Sequence, residues 1–343
     1  MRSTRALGLA AIASLTITLA ACGGGSEPGG DAETTAAGGT APAGAEAISQ
    51  LEIIAPANPG SGWDQTSRAV QDALQAEGLA QTVTVTNVPG ASGTVALAQV
   101  APQEGAEELW IASGLAMMTG VATNNSTVTL DDLTPLARIM AEYEVIVVPN
   151  ESEFETLDDL LTAIESDPAG VPIAGGSAGS ADHLFLGLLA QERGIEPSAL
   201  NYVPFSGGGE AATALLGNQV SAGIAGTGEF EAQIKAGEMR ALVVSALEPV
   251  ESLPEVPTIA DAGYDDLEFF NWRSMMAPPG LPDDLVAQYI ATLDAMHDSD
   301  TWQETLTTNA WQDVYLSGDE FGTWLQEENT RVTEVLEGLG LVQ

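Results

Sequence analysis

Two hydrophobic rhythms alternate along the chain. From Ser49 onward, short apolar runs rich in Val, Ile and Thr are each followed by stretches whose apolar residues recur three and four apart. A period of two marks a strand and a period near 3.6 marks a helix, so the pattern predicts repeated strand–helix units. Strands are expected at 51–56 (LEIIAP), 82–88 (TVTVTNV), 108–113 (ELWIAS), 145–149 (VIVVP), 171–176 (VPIAGG) and 240–246 (RALVVSA). Two further short strands are expected within 201–210 and 219–230, each running into a Gly-rich turn. Helices are expected at about 63–77 and 180–193, and over most of the final 60 or so residues, with Trp302, Trp311 and Trp324 as packing anchors.

Alternating strands and helices imply an α/β fold with mostly parallel sheets. No fixed-period repeat and no sign of an eightfold barrel appear. Two lobes are expected, with the chain crossing near 140–150 and returning near 265–275. Residues 49–142 and 265–343 then form a discontinuous first lobe, and 143–264 the second.

The first 48 residues break this pattern. A basic start, Met1-Arg-Ser-Thr-Arg5, precedes the apolar run 6–21, which is shorter than the ~20 residues of a comfortable membrane span and reads as an export signal. Leu19-Ala20-Ala21-Cys22 resembles a bacterial lipobox, in which the Cys carries the lipid and becomes the new N-terminus. Cys22 is the single Cys of the chain, so no intrachain disulfide can form. Residues 23–47 are Gly, Ala, Ser, Thr, Pro and acid, so 22–48 are expected to be a flexible tether from Cys22. Residues 1–21 are thus expected to be a lipoprotein signal peptide, leaving the folded part anchored outside the cell membrane through Cys22. A monomer is expected.

Charge narrows the partners. The formal net charge is -40, from nine Lys and Arg against 49 Asp and Glu. Loss of the leader removes Arg2 and Arg5 as well, taking the cations from nine to seven. Nucleic acid is excluded as a partner, since its binding needs a basic footprint.

The chemistry concentrates in five Gly- and Ser-rich turns where a strand gives way to a helix. They are NPGSGWD (58–64), SGLAM (113–117), GGSAGSADH (175–183), FSGGGE (205–210) and AGTGEF (225–230). In open α/β sheets this edge carries the ligand crevice. The first N–H groups of a helix have no internal partner and carry roughly half a positive charge. Several such ends facing one cleft hold an anion without Lys or Arg. The candidate ligand residues are therefore Pro59, Gly60, Ser61, Gly62, Trp63 and Asp64; Ser113 and Gly114; Ser177, Gly179, Ser180, Asp182 and His183; Ser206, Gly207 and Gly208; and Thr227.

Asp64, Asp182 and Glu210 sit beside these turns. They either offset helix dipoles or accept a hydrogen bond from a ligand hydroxyl or ammonium, and Asp64 is spaced to pair with Arg68. Trp63 either walls a pocket or packs inward. Arg273, in FFNWRSMMAPPG, either faces the cleft or pairs with surplus acids, and pairing is the expectation in so acidic a chain.

Enzymatic readings are weaker. Gly175-Gly176-Ser177-Ala178-Gly179 fits G-x-S-x-G between a strand and a helix, which makes Ser177 a candidate hydrolase nucleophile. The chain has only two His, however: His183 lies on the following helix, and His297 at a helix end. No P-loop, complete dinucleotide fingerprint or zinc-ligand spacing occurs, so neither cofactor nor metal is expected.

The order of motifs is more specific than any one of them. IIAPANPGSGWDQTSR, VTNVPGASGTVALAQ, GSADHLFLGLLA, YVPFSGGGEAATALLGNQVSAGIAG, IKAGEMRALVVSA and LPEVPTIADAG follow in one collinear string over about 50–340. This string resembles the solute-binding receptors of the tripartite tricarboxylate transporters, the Bug receptors. The resemblance implies a two-lobed periplasmic-binding-protein fold of type II-like form, with a cleft that closes on a carboxylated metabolite. It also implies large and small membrane subunits as partners, and ligand contacts from Pro59 to Asp64, Ser177 to His183, Ser206 to Gly208 and at Thr227. Ser61 and Trp63 depart from the family's Gly and Thr in the first loop, so the ligand's identity does not carry over. A sensory receptor reporting to a signalling partner is the alternative of another class.

Overall fold

The computed structural model describes residues 47–205 and 208–342. The leader, Cys22, nearly all of the tether, and Ser206 and Gly207 lie outside the described residues.

Strand β1 (Ile48–Ala55) leads into helix α1 (Gly62–Ala76), and β2 (Ala80–Asn87) into α2 (Thr94–Val100). Next come β3 (Leu109–Gly114), α3 (Leu115–Thr123) and the long strand β4 (Thr134–Pro149). The middle of the chain holds α4 (Leu157–Ser166), β5 (Ile173–Gly175), α5 (Ala181–Glu192) and β6 (Tyr202–Pro204). It continues through α6 (Gly208–Leu216), β7 (Ala222–Gly226), α7 (Thr227–Lys235) and β8 (Met239–Val244). Strand β9 (Phe270–Ala277) precedes α8 (Asp283–His297), α9 (Asp300–Thr308), β10 (Leu316–Ser317) and α10 (Gly318–Gly338).

The strands run β2-β1-β3-β9-β4-β7-β5-β6, with β8 and β10 also paired to β4. The expected parallel pairing holds in the two wings: β1 with β2 and β3, and β5 with β6 and β7. The centre is antiparallel, because β9 runs against both β3 and β4, and β4 runs against β7, β8 and β10. Crossover helices enforce parallel neighbours only where they return the chain to the same edge. Strands β4 and β9 instead carry the chain from one wing to the other, in opposite directions.

Strand β4 changes sheets partway along. Thr134 to Tyr143 pair with β9, and Glu144 to Pro149 pair with β7 and β8. It begins at Thr134 rather than near Val145, since Arg138, Glu142 and Glu144 interrupt the apolar run that would have marked it. Strand β9 was likewise visible in the sequence only as a crossing, because Asn271 and Arg273 hide its alternation.

Local chemistry sets the other elements. In β2, Val83 is buried between exposed Thr82 and Thr84, the mark of a strand covered on one face. Strand β3 is buried at every position, consistent with its place between β1 and β9. Helix α4 opens with a capping box: Asp159 N–H donates to Thr156 Oγ1 at 3.2 Å, and Thr156 N–H donates to Asp159 at 2.9 Å. Gly114 lets β3 approach β9 closely, for a Cβ there would lie 2.4 Å from the Trp272 carbonyl oxygen.

The core of the first wing is aromatic. Trp272 is fully buried on β9 and meets Trp324 of α10 edge-on at 5.2 Å and Phe321 at 6.4 Å. Trp302 is also fully buried, beside Trp311. Trp324 adds a stacking face for the Arg138 guanidinium, 4.2 Å from its ring. Truncating a buried aromatic loses its transfer free energy and leaves a cavity. Trp272→Ala is expected to lower stability by ~3–5 kcal/mol, read from the urea midpoint at unchanged slope.

Candidate functional site

All five Gly/Ser turns lie where expected, between the C-terminal end of a strand and the head of the next helix. They join β1 to α1, β3 to α3, β5 to α5, β6 to α6 and β7 to α7. Contacts link them into one network at the junction of the wings.

The first turn folds onto its own acid. Gly60, with φ of +85°, donates its N–H to Asp64 Oδ2 at 2.7 Å, and Ser61 Oγ donates to the Asn58 carbonyl at 2.7 Å. Asp64 also pairs with Arg68 at 2.9 Å and accepts from Asn87 at 2.9 Å. The Arg68 bond, aided by Gly60 and Asn87, holds the Asp64 carboxyl down at about 2. Trp63 packs inward, and its Nε1–H donates to the Ser113 carbonyl at 3.2 Å, tying the first turn to the second. Ser113 is fully buried with its hydroxyl against Met117 Sδ. Pro59 is exposed at the tip.

The turn after β5 closes on itself in the same way. Gly176 N–H donates to Asp182 in a short bond, and Gly179 N–H donates to His183 Nδ1 at 3.2 Å. His183 stacks on Tyr202, with ring centres 4.0 Å apart, and burial pushes its pKa down to about 4, so the ring is neutral. Tyr202 donates to the Gly176 carbonyl at 2.9 Å and lies 3.4 Å from the Ser180 hydroxyl. Ser177 is exposed and bonded to neither His: His183 faces Gly179, and His297 bonds Asp313 at 2.9 Å. His297 lines a cavity of about 830 Å³, with Arg138, Tyr315 and Trp324. The hydrolase arrangement is therefore not assembled.

At the remaining turns, Gly208 N–H donates to Glu229 at 2.8 Å. Thr227, only 1 % exposed, has a hydroxyl with no hydrogen-bond partner among the described residues.

The Arg273 guanidinium joins the first turn to β4. Arg273 reaches Glu142 at 3.3 Å, as the acid surplus predicted, and packs so close to the first turn that a Cβ on Gly62 would lie 2.4 Å from its Nη2. Gly114 stands opposite Arg273 in the β3–β9 register. Glu142 and Glu229 both approach Gly226, each with an oxygen 3.9 Å from where its Cβ would be.

Sequence reasoning missed Glu142, Glu144, Glu229 and Tyr202. Glu144 stands opposite Gly226 in the β4–β7 register and is 1 % exposed. Burial pushes its carboxyl well up, and neighbouring Asp182 adds to the effect. Asp182 is also raised, chiefly by burial, against the opposing pull of Gly176 N–H. The available signal was the AEYEVIVV pattern, which places two acids on one face of a strand beside a β-branched run.

These contacts change the expected anion chemistry. The N–H groups of Gly60, Gly176, Gly179 and Gly208 already bond Asp64, Asp182, His183 and Glu229. The chain's own side chains thus occupy four of the donors that an incoming anion was expected to use. Among the described residues, no cluster of metal-ligating side chains forms and no helix is long and apolar enough to cross a membrane.

The family profile "TctC: Tripartite tricarboxylate transporter family receptor" matches residues 66–341. Protein BugT of Bordetella pertussis is 30 % identical over 234 residues, covering 67 % of this chain and 71 % of that protein. A TctC solute-binding protein from Polaromonas, solved without ligand, superposes with a TM-score of 0.72 at 23 % identity, over 84 % of this chain and 98 % of that one. MatC from Rhodopseudomonas palustris, solved with bound malate, gives 0.66 at 22 % identity, over 84 % and 99 %. The two structures show a shared fold.

The depressed Asp64 carboxyl sets an acid limb. A lowered folded pKa contributes stability present above the ordinary 3.8 and lost as pH falls toward about 2. Asp64→Asn is expected to cost about 2 kcal/mol at neutral pH and to flatten the stability profile below pH 4, read by urea unfolding across pH.

Proposed function

The chain belongs to the tripartite tricarboxylate transporter receptor family, and from that premise we propose that it is an extracytoplasmic receptor for an organic carboxylate. It delivers its ligand to the large and small membrane subunits of such a transporter. The observation that carries this reading is Arg273. Its side chain is 13 % exposed and lies against Gly62 of the first turn and Glu142 of β4, with Gly114 of the second turn opposite it in register. A guanidinium there offers fixed donors to a carboxylate. Malate bound to the like-folded R. palustris protein supports the ligand class.

The two lobes, 49–142 with 265–343 and 143–264, close as a hinge about β4 and β9, the strands that pass between the wings. Export through residues 1–21 and a lipid on Cys22 hold the receptor at the outer face of the membrane, with residues 22–48 as the tether. The receptor acts as a monomer.

Thermal unfolding of the purified protein against a panel of organic acids tests the reading. A bound acid at 100 times its dissociation constant adds ~2.7 kcal/mol, a clear rise in Tm. Arg273→Ala should weaken that acid ~10- to 100-fold, the value of a hydrogen bond to a charged group. A panel that leaves Tm unmoved would sink the receptor assignment.

A further inference from the structure

The junction that should receive an anion is itself anionic. Carboxyl groups converge on it from three elements: Glu142 and Glu144 of β4, Asp182 of α5 and Glu229 of α7. Arg273 of β9, bonded to Glu142, is the guanidinium facing them. Tyr202 of β6 lies within their field, and neutral His183 adds no charge. The amides of Gly60, Gly176, Gly179 and Gly208, four of those expected to bind anions, are already bonded to the chain's own side chains.

Glu144 marks what is missing. It is 1 % exposed, and neither carboxyl oxygen has a hydrogen-bond donor among the described residues. Thr227, next in sequence to the Gly226 that faces Glu144, has an equally buried hydroxyl without a partner. A carboxyl so placed must keep its proton or take a cation, because an isolated buried carboxylate is too costly. With its proton, Glu144 donates to Asp182.

We propose that the ligand is a zwitterion, an organic acid that also carries an ammonium group. Its ammonium enters the cage of Glu142, Glu144, Asp182 and Glu229, and its carboxylate meets Arg273. This rests on the carboxylate-receptor reading and narrows it. On binding, the ammonium replaces the Glu144 proton, which leaves to solvent as Glu144 ionises. A plain dicarboxylate would bring two more negative charges to a site where acids already outnumber the cation.

Isothermal titration calorimetry, in two buffers of different ionisation enthalpy, decides the matter. The probes are dicarboxylates from malonate to adipate, the common amino acids, ω-amino acids of matched length, and the matching diamines. Ammonium-bearing acids are expected to bind at least ~10-fold more tightly than the matched dicarboxylates, the value of one charge-assisted bond. Their binding should release protons and tighten as pH rises, since the proton competes with the ammonium. Glu144→Gln should weaken them by about 10-fold or more and abolish the proton release. Asp182→Asn, whose amide oxygen still accepts from Gly176, should weaken the same compounds, with thermal melts confirming that both variants fold.

Dicarboxylates binding more tightly than every ammonium-bearing acid would overturn the zwitterion and leave the carboxylate receptor standing. Diamines binding without any acid would keep the ammonium cage and overturn the carboxylate reading. Indifference of amino-acid affinity to Glu144→Gln and Asp182→Asn would overturn the cage. Silence from all four probe classes would overturn both.

Discussion

Strand β4 shares its hydrogen bonds between two sheets, and the rest of the structure depends on that sharing. Its first part pairs with β9 and its last part with β7 and β8. At the change of partners the chain crosses from one wing to the other. Ser245 holds the spot: its hydroxyl accepts from Glu144 N–H at 2.9 Å and donates to the Phe269 carbonyl. Glu142, Glu144 and Arg273 are therefore hung from strands whose positions are fixed by pairing, not from loose loops. The alternating side-chain directions of β4 put Glu142 and Glu144 on one face, toward the heads of α5 and α7.

The turns show how a chain with few cations manages exposed helix heads. Each strand-to-helix turn leaves N–H groups without internal partners. Asp64, Asp182 and Glu229 lie in the first turns of α1, α5 and α7, where a negative charge offsets the helix dipole. Each also accepts an N–H from a turn glycine: Gly60, Gly176 and Gly208. The same chemistry has two outcomes, depending on whether a basic partner is near. Asp64 meets Arg68 and its pKa falls, whereas burial raises the pKa of Asp182 against the opposing pull of Gly176 N–H and Glu144. Electrostatic tension thus gathers at the wing junction and is relieved at the first turn.

Much of this was legible in the chain. The strand and helix periods located β1, β2, β3, β5, β7 and β8, because those strands are runs of Val, Ile, Ala and Thr bounded by Gly or Pro. The Gly/Ser turns marked the strand-to-helix junctions, and the collinear motif string marked the family. The antiparallel centre was hidden because Arg138, Glu142, Glu144, Asn271 and Arg273 interrupt the apolar alternation of β4 and β9. Such charged residues are depleted in ordinary strands.

Sequence alone determined the fold class, the turns and the supply of acids, since these follow from local periodicity, backbone freedom and composition. It placed Asp64 beside Arg68 through helical spacing, a short-range relation. It did not determine which donors stay open to a ligand. That depends on Asp182 and Glu229 reaching back to turn amides, on Arg273 crossing to Gly62 and Glu142, and on Glu144 being sealed opposite Gly226. Those distances join segments far apart in the chain, and only the pairing of β4 and β9 brings them within reach of one another.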